Sequence, residues 1–549
     1  MNGEYDVIVI GGGINGAAVA AALTHRGYRL LLLEQRDFAS GTTAASTKLI
    51  HGGLRYLEYG DARLVHESLQ SRERLLRERP HLVKSLPFIL PVYGGDSRRG
   101  PYIRAGLVLY DMLTPRKVSP WHRSFSRREL QRLEPAVATE GLTSAYLYHD
   151  AQVEMPERLC IEYLNEARER GADVRNYSAV DFILVRDGKA QGVDYHDVMT
   201  GERFRANARI IINAAGPWVD AVLEATGRPM QRRLSPTKGS HLVVHLEGRG
   251  PHHAILASAR SDGRPIFVVP WLDHHLIGTT DIRYDGDPSA ARCEEWEVDY
   301  LLREANRLLP GIGVERDNVL YSYSGARPLP LTESGVAEGA ISRRAFIVDH
   351  ESEGVAHLIS VVGGKLTTAN RLGASVGRAV RRAIGAPPRG GRPQALPRGR
   401  AGPIPFLPQP TVEHLHNRYG QRAAEVAAYA ALHPELAEPL SPWHPDIGAQ
   451  VAYAVDHEGA KTVGDVLLRR TPVGLTYDLG RAAAPNVAAI MQGRFGWSDA
   501  ERDQAVRDYE MELHRTVVVF DHPNRRAATA AVPRTQAADM ADKTHPHSD

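Results

Sequence analysis

The chain has 549 residues, 43% of them hydrophobic and 24% charged, and its formal net charge is +2. This length suits two or three domains, and the near-balanced charge does not favour nucleic acid as a partner. Cys160 and Cys293 lie far apart and outside any C-x-x-C pattern, which argues against a disulfide framework or a thiol redox site. No apolar run approaches the roughly 20 residues of a membrane-spanning helix, and the first residues do not resemble a signal peptide. We therefore expect a cytoplasmic chain that is soluble or peripheral on a membrane.

The first element has the pattern of a dinucleotide-binding cradle. Residues 6–10 form a short apolar run typical of a buried parallel strand. Three glycines with G-x-G-x-x-G spacing follow it: Gly11, Gly13 and Gly16. Residues 14–25 then fit a helix whose N–H groups face a pyrophosphate. Glu34 ends the next apolar strand, 29–33, where a carboxylate can bind a ribose diol and would repel a 2′-phosphate. The pattern predicts a Rossmann-like domain for FAD or NAD.

Later segments alternate strands, helices and Gly-rich turns up to about residue 385. Residues 209–214 and 357–362 fit further buried strands, and a hairpin is predicted around Asp187 and Gly188. Three segments fit antiparallel strands of a second sheet: 241–245, 266–269 and 274–278. A Pro-, Gly- and Arg-rich linker is predicted at 386–410, a separate helical domain at 411–520 and a disordered tail at 521–549.

Ordered motifs across residues 5–520 give the chain a family resemblance. The most specific is 46–57, Ser-Thr-Lys-Leu-Ile-His-Gly-Gly-Leu-Arg-Tyr-Leu. The others are Gly-Gly-Gly-Ile-Asn-Gly (11–16), Asn-Ala-Ala-Gly-Pro-Trp-Val (213–219), Lys-Gly-Ser-His (238–241), Ile-Gly-Thr-Thr-Asp (277–281), Tyr-Ser-Gly-Ala-Arg-Pro-Leu (323–329) and Gly-Gly-Lys-Leu-Thr-Thr (363–368). Together they resemble the FAD-dependent glycerol-3-phosphate dehydrogenases of the aerobic and mitochondrial type. The resemblance implies glycerol 3-phosphate as substrate, dihydroxyacetone phosphate as product and non-covalent FAD as hydride acceptor.

The expected fold is α/β, with a Rossmann-like FAD-binding domain, an antiparallel-sheet substrate domain and a C-terminal all-helical domain. The first two are expected to be interleaved within residues 1–385. The FAD-binding parts are predicted at about 1–90, 150–230 and 340–385, and the substrate-binding parts at about 91–149 and 231–339.

The phosphate of the implied substrate calls for cationic side chains, because a planar guanidinium matches a phosphate with two hydrogen bonds. Arg55 and Arg327 each lie in a Gly-containing turn after an apolar segment, and Lys365 lies between a Gly pair and a Thr pair. Tyr56 and Lys238 complete the predicted substrate-binding set. The alternative for each cation is a surface salt bridge.

Oxidation of the substrate alcohol also needs a base, because the hydroxyl loses its proton as hydride leaves the carbon. His51 and His241 are the candidates, since imidazole titrates near neutrality and neighbouring cations would keep it neutral. Either His could instead hydrogen-bond the flavin or the substrate, leaving the proton to another group or to water. Arg327 is predicted to stabilise the charge that develops on the substrate oxygen.

The cofactor is expected to contact the cradle and three later segments. Ser46 to Leu49 are predicted to follow the pyrophosphate and ring, and Ala215 and Gly216 to approach the adenine or ribose. Lys365 to Thr368 precede a helix whose N-terminus would face the flavin pyrimidine, although Thr367 and Thr368 could equally be helix caps. The predicted cofactor-binding residues are Gly11, Gly13, Ile14, Asn15, Gly16, Glu34, Gln35, Ser46, Thr47, Lys48, Leu49, Ala215, Gly216, Lys365, Leu366, Thr367 and Thr368.

The sequence gives less information about metals, membrane contact and the electron acceptor. No metal site is predicted, because Asp456, His457 and Glu458 are consecutive and point in different directions on a helix. Residues 102–113 are apolar with Arg around them, which fits either contact with anionic lipid or a buried helix with solvated basic ends.

A quinone is the expected electron acceptor, with oxygen as the alternative, and a homodimer is possible. An amine or amino-acid oxidase and a non-catalytic flavin-binding protein are the competing functions.

Overall fold

A computed structural model describes residues 4–96, 100–114, 116–332, 341, 343–387, 402 and 404–520. The predicted tail, 521–549, and most of the predicted linker, 386–410, lie outside the described residues.

Residues 4–384 contain the following helices and strands in chain order: β1 (Glu4–Ile10), α1 (Ile14–Thr24), β2 (Leu30–Leu33), β3 (Leu49–Ile50), α2 (Ala62–Glu78), β4 (Val83–Tyr93), α3 (Gly100–Met112), β5 (Arg123–Phe125), α4 (Arg127–Leu133), β6 (Leu142–Val153), α5 (Pro156–Glu169), β7 (Asp173–Arg175), β8 (Ser178–Arg186), β9 (Lys189–Asp197), β10 (Arg203–Asn213), α6 (Val219–Glu224), β11 (Thr237–Val244), β12 (Ala254–Ser258), β13 (Pro265–Trp271), β14 (His274–Gly278), β15 (Ile282–Arg283), α7 (Glu295–Leu308), β16 (Val319–Arg327), β17 (Phe346–Asp349), β18 (Leu358–Val362) and α8 (Ala369–Ile384). A 3₁₀ helix, Leu54–Tyr59, follows β3.

The C-terminal region contains α9 (Gln409–Tyr419), α10 (Ala423–Leu432), β19 (Pro439–Ser441), β20 (His444–Ile447), α11 (Gly448–Glu458), α12 (Val463–Asp465), α13 (Ala484–Phe495), α14 (Asp499–Thr516) and β21 (Val518–Val519). A π-helix, Val466–Arg470, continues α12.

The first sheet is the predicted Rossmann-like sheet. Its strand order is β17-β18-β10-β1-β2-β7, with the predicted β8–β9 hairpin attached to β10. The pairs β1–β2, β1–β10, β10–β18 and β2–β7 are parallel, which places their carboxyl ends at one edge. Helices α1, α5 and α8 contribute to the apolar core on one face of this sheet. Both faces are covered, which explains why its strands are continuous apolar runs.

The second sheet is predominantly antiparallel, with the order β21-β16-β11-β14-β13-β12-β4-β6-β3. It includes β3, which pairs with β6 and so carries the segment after the cradle across to this sheet. Strands β4 and β6 extend through residues 90 and 150, where the sequence predicts a change between FAD-binding and substrate-binding parts. Both strands lie in the second sheet over their whole length, so this sheet extends past both predicted boundaries, from residue 83 to residue 153.

The C-terminal region is helical, as predicted, but it also contains the β19–β20 hairpin. The predicted C-terminal helical domain is confirmed, and it packs closely on the second sheet. Val466, Val487 and Leu513 lie in one apolar core with Trp271 and Tyr321 of the second sheet, and β21 pairs with β16. The apolar faces of these helices are thus buried partly against the second sheet and partly against one another.

Candidate active site

A cavity of about 380 Å³ lies where the carboxyl ends of the parallel strands face the second sheet. Gly11 follows β1, Glu34 follows β2, Ala214 follows β10 and Gly363 follows β18, so four turns meet at one edge. Ligands of open parallel sheets bind outside this edge. The second sheet supplies the opposite wall, including His241 from β11.

Most of the predicted site residues line this cavity. From the predicted cofactor set these are Gly11, Gly13, Ile14, Asn15, Glu34, Gln35, Ser46, Thr47, Leu49, Ala215, Gly216, Lys365, Leu366 and Thr367. The predicted catalytic residues His51, His241 and Arg327 line it as well.

The cradle has the close backbone approaches that a pyrophosphate-binding turn needs. Gly11 has φ +108°, and a Cβ there would lie 2.7 Å from the Ala214 carbonyl oxygen. A Cβ at Gly16 would lie 1.9 Å from the Gly11 carbonyl oxygen, so Gly16 lets α1 approach β1 without lining the cavity. The Ile14 N–H donates to Thr43 Oγ1 at 3.1 Å, which ties the first turn of α1 to the following loop.

Glu34 lies at the position expected for a ribose-binding carboxylate. Its oxygens accept hydrogen bonds from the Gly12 N–H at 2.6 Å and the Arg36 N–H at 2.9 Å, so its orientation is fixed. Burial raises the pKa of the Glu34 carboxyl. Each carboxylate oxygen keeps a further lone pair for a diol.

Besides Gly16, two predicted cofactor residues do not line the cavity. Lys48 has φ +59°, which turns its side chain back so that Nζ donates to the Ala44 carbonyl at 3.0 Å and lies 3.6 Å from Glu157 Oε1. Its ammonium also lies 5.1 Å from the centre of the Trp271 ring, and burial lowers its pKa. Thr368 is the N-cap residue of α8 and makes no side-chain capping hydrogen bond.

His51 is held in place from two sides at one end of the cavity. Its backbone N–H donates to Thr367 Oγ1 at 3.1 Å, and that hydroxyl lies 3.2 Å from the His51 carbonyl oxygen. The next N–H, of Gly52, donates to Asp150 Oδ1 at 3.1 Å, and Arg72 Nη1 lies 2.6 Å from the same oxygen. Burial and then Lys365 lower the pKa of His51 to about 4. His51 is therefore neutral at physiological pH and can accept a proton.

His241 lies on β11 and faces the same cavity. Its Nε2 is 2.8 Å from Thr47 Oγ1, and its ring stacks on Tyr323 with the ring centres 5.0 Å apart. Its Nδ1 is buried and has no hydrogen-bond partner among the described residues. Burial and then Arg327 lower the pKa of His241 to about 3, so this imidazole is also neutral.

Two guanidinium groups on the cavity wall share one carboxylate. Arg327 Nη1 lies 2.9 Å from Asp281 Oδ1, and Arg343 Nη2 lies 2.9 Å from Asp281 Oδ2. Arg327 Nη2 also donates to Thr279 Oγ1 at 2.8 Å. Burial lowers the pKa of Arg327 to about 10, which leaves it charged. Two cations neutralised by a single carboxylate leave one net positive charge at this end of the cavity.

Lys365 adds another cation to this end of the cavity. Its Nζ is buried, has no hydrogen-bond partner among the described residues and lies 4.7 Å from the centre of the Tyr56 ring. Burial and then Arg343 lower its pKa to about 7. An unsatisfied buried ammonium is costly, so this position suits an anionic group that would pair with it.

The structure places two predicted substrate-binding cations elsewhere. Lys238 neighbours the cavity residues in sequence, but alternate residues of a strand point to opposite faces. Its Nζ therefore pairs with Glu294 at 2.6 Å and Glu297 at 2.8 Å, behind β11. Arg55 lies on the 3₁₀ helix and lines a second cavity of about 290 Å³, between that helix and α3.

Sequence reasoning missed residues that shape the site. Arg343 was not selected because no recognisable motif surrounds it, although it lies in an Arg-Arg pair just before a strand. Asp281 ends a quoted motif, but its function in holding two arginines depends on contacts between distant segments. Asp150 and Thr43 act through the backbone, which sequence patterns do not report.

The residues present fit a dinucleotide that extends from Glu34 to the cationic end. The glycine turn allows close approach to phosphates, and the N-terminus of α1 adds N–H groups. The orphaned Lys365 ammonium and neutral imidazoles then surround the far end, where a redox ring and its substrate would meet.

Comparison with known proteins identifies the family. Residues 6–376 match the model described as FAD dependent oxidoreductase, and residues 357–502 match the C-terminal domain of alpha-glycerophosphate oxidase. A glycerol-3-phosphate dehydrogenase of Synechocystis sp. is 40% identical over 541 residues, which cover 94% of this chain and 98% of the relative. The chain belongs to the FAD-dependent glycerol-3-phosphate dehydrogenase family. This confirms the resemblance seen in the motifs.

Two further comparisons agree with membership of this family. The aerobic glycerol-3-phosphate dehydrogenase of Escherichia coli is 34% identical over 485 residues, which cover 86% of this chain and 94% of the relative. The glycerol-3-phosphate dehydrogenase of Bacillus halodurans, solved in complex with FAD, superposes with a TM-score of 0.74 at 27% identity. That match covers 93% of this chain and 95% of the solved chain. The predicted α/β fold and FAD as the cofactor are thereby confirmed.

Proposed function

We propose that the chain oxidises sn-glycerol 3-phosphate to dihydroxyacetone phosphate by hydride transfer to N5 of FAD and passes the electrons to a quinone. One observation carries the proposal: Arg327, Arg343 and Lys365 meet two neutral histidines at one end of a dinucleotide cavity. FAD, when bound, supplies the ring that accepts the hydride.

The cations select a phosphorylated substrate. Lys365 and the two arginines provide donors that match a phosphate dianion, and the shared Asp281 holds both guanidinium groups in fixed directions. A bound dianion would also raise the pKa of the Lys365 ammonium from about 7 and so keep it charged in the complex. Glycerol lacks this anchor and is expected to be a poor substrate.

His51 is our candidate for the base. It is neutral, and Thr367 and the Asp150 network hold its backbone, so its imidazole can take the hydroxyl proton from a positioned substrate. His241 is the alternative, with a buried Nδ1 that would gain a partner from the substrate. Whichever histidine is the base, Arg327 would stabilise the negative charge that develops on the substrate oxygen.

A quinone is proposed as acceptor because the relatives from Synechocystis sp. and E. coli are named dehydrogenases and not oxidases. Oxygen is the second candidate, favoured by the match of residues 357–502 to the C-terminal domain of alpha-glycerophosphate oxidase. An amine or amino-acid oxidase is disfavoured because a carboxylate needs fewer cations than converge here.

We also propose peripheral contact with the cytoplasmic face of a membrane through α3. Among the described residues, no helix combines the length and apolar character needed to cross a membrane. On α3, Tyr102 is 57% exposed and Met112 70%, and Arg104 is exposed beside them. Apolar side chains with a neighbouring cation suit an anionic lipid surface. A homodimer remains a prediction.

The acceptor assay tests the proposed function. Purified protein with FAD is given glycerol 3-phosphate and either a soluble quinone or dioxygen, and quinone reduction and peroxide formation are measured. We expect quinone reduction to be the faster reaction by at least about tenfold, with glycerol as the control substrate. Peroxide formation at the same rate would favour the oxidase, and no turnover with either acceptor would contradict the proposal.

A further inference from the structure

Two histidines and an aspartate converge in the C-terminal region, outside the residues that line the cavity. His414 lies on α9, and His444 and Asp446 lie on β20. His414 Nε2 is 2.9 Å from Asp446 Oδ1, and His444 Nδ1 is 2.6 Å from Asp446 Oδ2. One donor atom from each residue lies within 4.8 Å of the others. A helix and a strand about 30 residues apart in sequence thus present metal-binding atoms to one point.

The carboxylate at the centre of this cluster is held by a neighbour. Asp446 is fully buried, and Gln450 Nε2 donates to its Oδ1 at 2.7 Å. The amide oxygen of Gln450, Oε1, accepts a hydrogen bond from the Ile447 N–H at 2.9 Å, which fixes the orientation of the amide. Metal ligands are typically oriented by hydrogen bonds of this kind from residues behind them.

The type and exposure of the donors favour zinc. Imidazole nitrogen and carboxylate oxygen are both good zinc ligands, and three protein ligands leave a fourth position for water. The side chains of His414 and His444 are each 11% exposed, so water can reach the cluster from one side while Asp446 closes the other. Calcium and magnesium are disfavoured because they prefer oxygen ligands throughout.

Coordination needs a rearrangement of the side chains, because the two imidazoles contact different oxygens of Asp446 and one donor atom from each residue lies within 4.8 Å of the others. Bonds of about 2.0–2.1 Å in a tetrahedron put ligand atoms about 3.3 Å apart, against 2.6 and 2.9 Å here. The two ring nitrogens that now face Asp446 would bind the metal, and each imidazole proton would lie on the other ring nitrogen. Side-chain rotation on a strand and a helix end can supply shifts of this size.

We propose that His414, His444 and Asp446 form a zinc site that joins α9 to the β19–β20 hairpin. The proposal does not depend on the redox function, because none of the three residues lines the cavity. Its effect would be on the stability of the C-terminal region, since a metal that binds only the folded state stabilises it. The competing possibility is a His–Asp–His hydrogen-bonded cluster that binds no metal.

Zinc titration of the full-length, FAD-loaded protein tests the proposal. The protein is first treated with a chelator and passed over a desalting column, and zinc is then added in competition with a chromophoric chelator. His414→Gln and His444→Gln are compared with His433→Gln, an exposed histidine of the same region that lies outside the cluster. Thermal unfolding is followed with and without zinc, and far-UV circular dichroism verifies that each variant folds.

We expect wild type and His433→Gln to bind one more equivalent of zinc than either cluster variant, or to bind that equivalent about tenfold or more tightly. Zinc should raise the Tm of wild type and His433→Gln but leave that of the folded cluster variants unchanged. Equal zinc binding and equal Tm shifts in all four proteins would overturn the proposal, because zinc would then bind elsewhere. The absence of any zinc-dependent Tm shift in wild type would leave the hydrogen-bonded cluster as the explanation.

Discussion

At the scale of single residues, the site combines cations with buried neutral imidazoles. Arg327, Arg343 and Lys365 concentrate positive charge where burial makes charge costly, and Asp281 compensates only part of it. The same burial lowers the pKa values of His51 and His241, so both imidazoles stay neutral beside the cations. The cations add to this effect, because Lys365 lowers the pKa of His51 and Arg327 lowers the pKa of His241.

The arginine pair predicts a specific kinetic defect. Arg327→Ala removes a donor fixed by Asp281 and Thr279, so kcat/KM for glycerol 3-phosphate should fall by about 10²–10³-fold. The bound FAD should remain, because the cradle is untouched. Arg344→Ala, one residue from Arg343 but outside the cavity wall, serves as control. Steady-state kinetics with flavin absorbance measures both quantities, and near wild-type kcat/KM in Arg327→Ala would show that the substrate binds elsewhere.

The lowered pKa of Lys365 predicts how activity depends on pH. In the free enzyme the ammonium loses its proton as pH rises through about 7, so kcat/KM should decrease above that pH. His51 must be unprotonated to act as base. Because its pKa is about 4, protonation of His51 should lower activity only at pH values well below neutrality. Lys365→Arg keeps the charge and should move the basic limb to higher pH.

The pH profile of kcat/KM for wild type and Lys365→Arg measures this shift. Titration of the substrate phosphate is common to both enzymes, so the difference between the two profiles reports the side chain. Identical basic limbs would mean that another group titrates there.

At the scale of elements, the C-terminal helices reach the cradle through a buried ion cluster. Arg469 and Arg470, at the end of the π-helix, both pair with Asp37, and Arg470 Nη2 lies 2.8 Å from Asp37 Oδ1. Asp37 is three residues after Glu34. The ribose end of the cavity is thus held by a region that the sequence predicts to be separate.

This cluster predicts acid-sensitive stability. Burial opposes ionisation, but Arg470 and Arg469 lower the pKa of Asp37 to about 2. Its folded-state pKa is therefore below the usual value, so its contribution is present above about pH 4 and is lost as pH falls toward 2. Asp37→Asn takes from the buried Arg470 guanidinium its carboxylate partner, while Arg469 keeps Asp465 and Glu512. The substitution should lower the free energy of unfolding by about 3–5 kcal/mol.

Denaturant unfolding at pH 7 and pH 3 measures that loss. Asp194→Asn removes an exposed pair with Arg205 and is the control, with an expected cost of about 0–1 kcal/mol. If both substitutions lower the free energy of unfolding at pH 7 by the same amount, the proposed contribution of the buried cluster to stability is contradicted. Weaker FAD retention in Asp37→Asn alone would link the cluster to the cradle.

At the scale of the whole molecule, the motifs predicted the Rossmann-like sheet, the family and most residues of the cavity. Those features follow from local rules: glycine spacing, apolar strands and an acid at a strand end. The errors involve contacts between distant segments. Lys238 pairs with Glu297 of α7 behind β11, and Arg343 meets Asp281 only in the folded chain, so neither position follows from a local motif. The core that the C-terminal helices share with the second sheet likewise cannot be predicted from either segment of the sequence alone.

We propose that one cavity joins a flavin cradle to a phosphate-selective oxidation site. Anaerobic titration of the purified protein, followed by visible absorbance, tests it most directly. Glycerol 3-phosphate should bleach the oxidised FAD spectrum with about one equivalent per flavin, while glycerol and an amino acid should not. Bleaching by the amino acid and not by glycerol 3-phosphate, or an unchanged flavin spectrum with all three, would contradict the account.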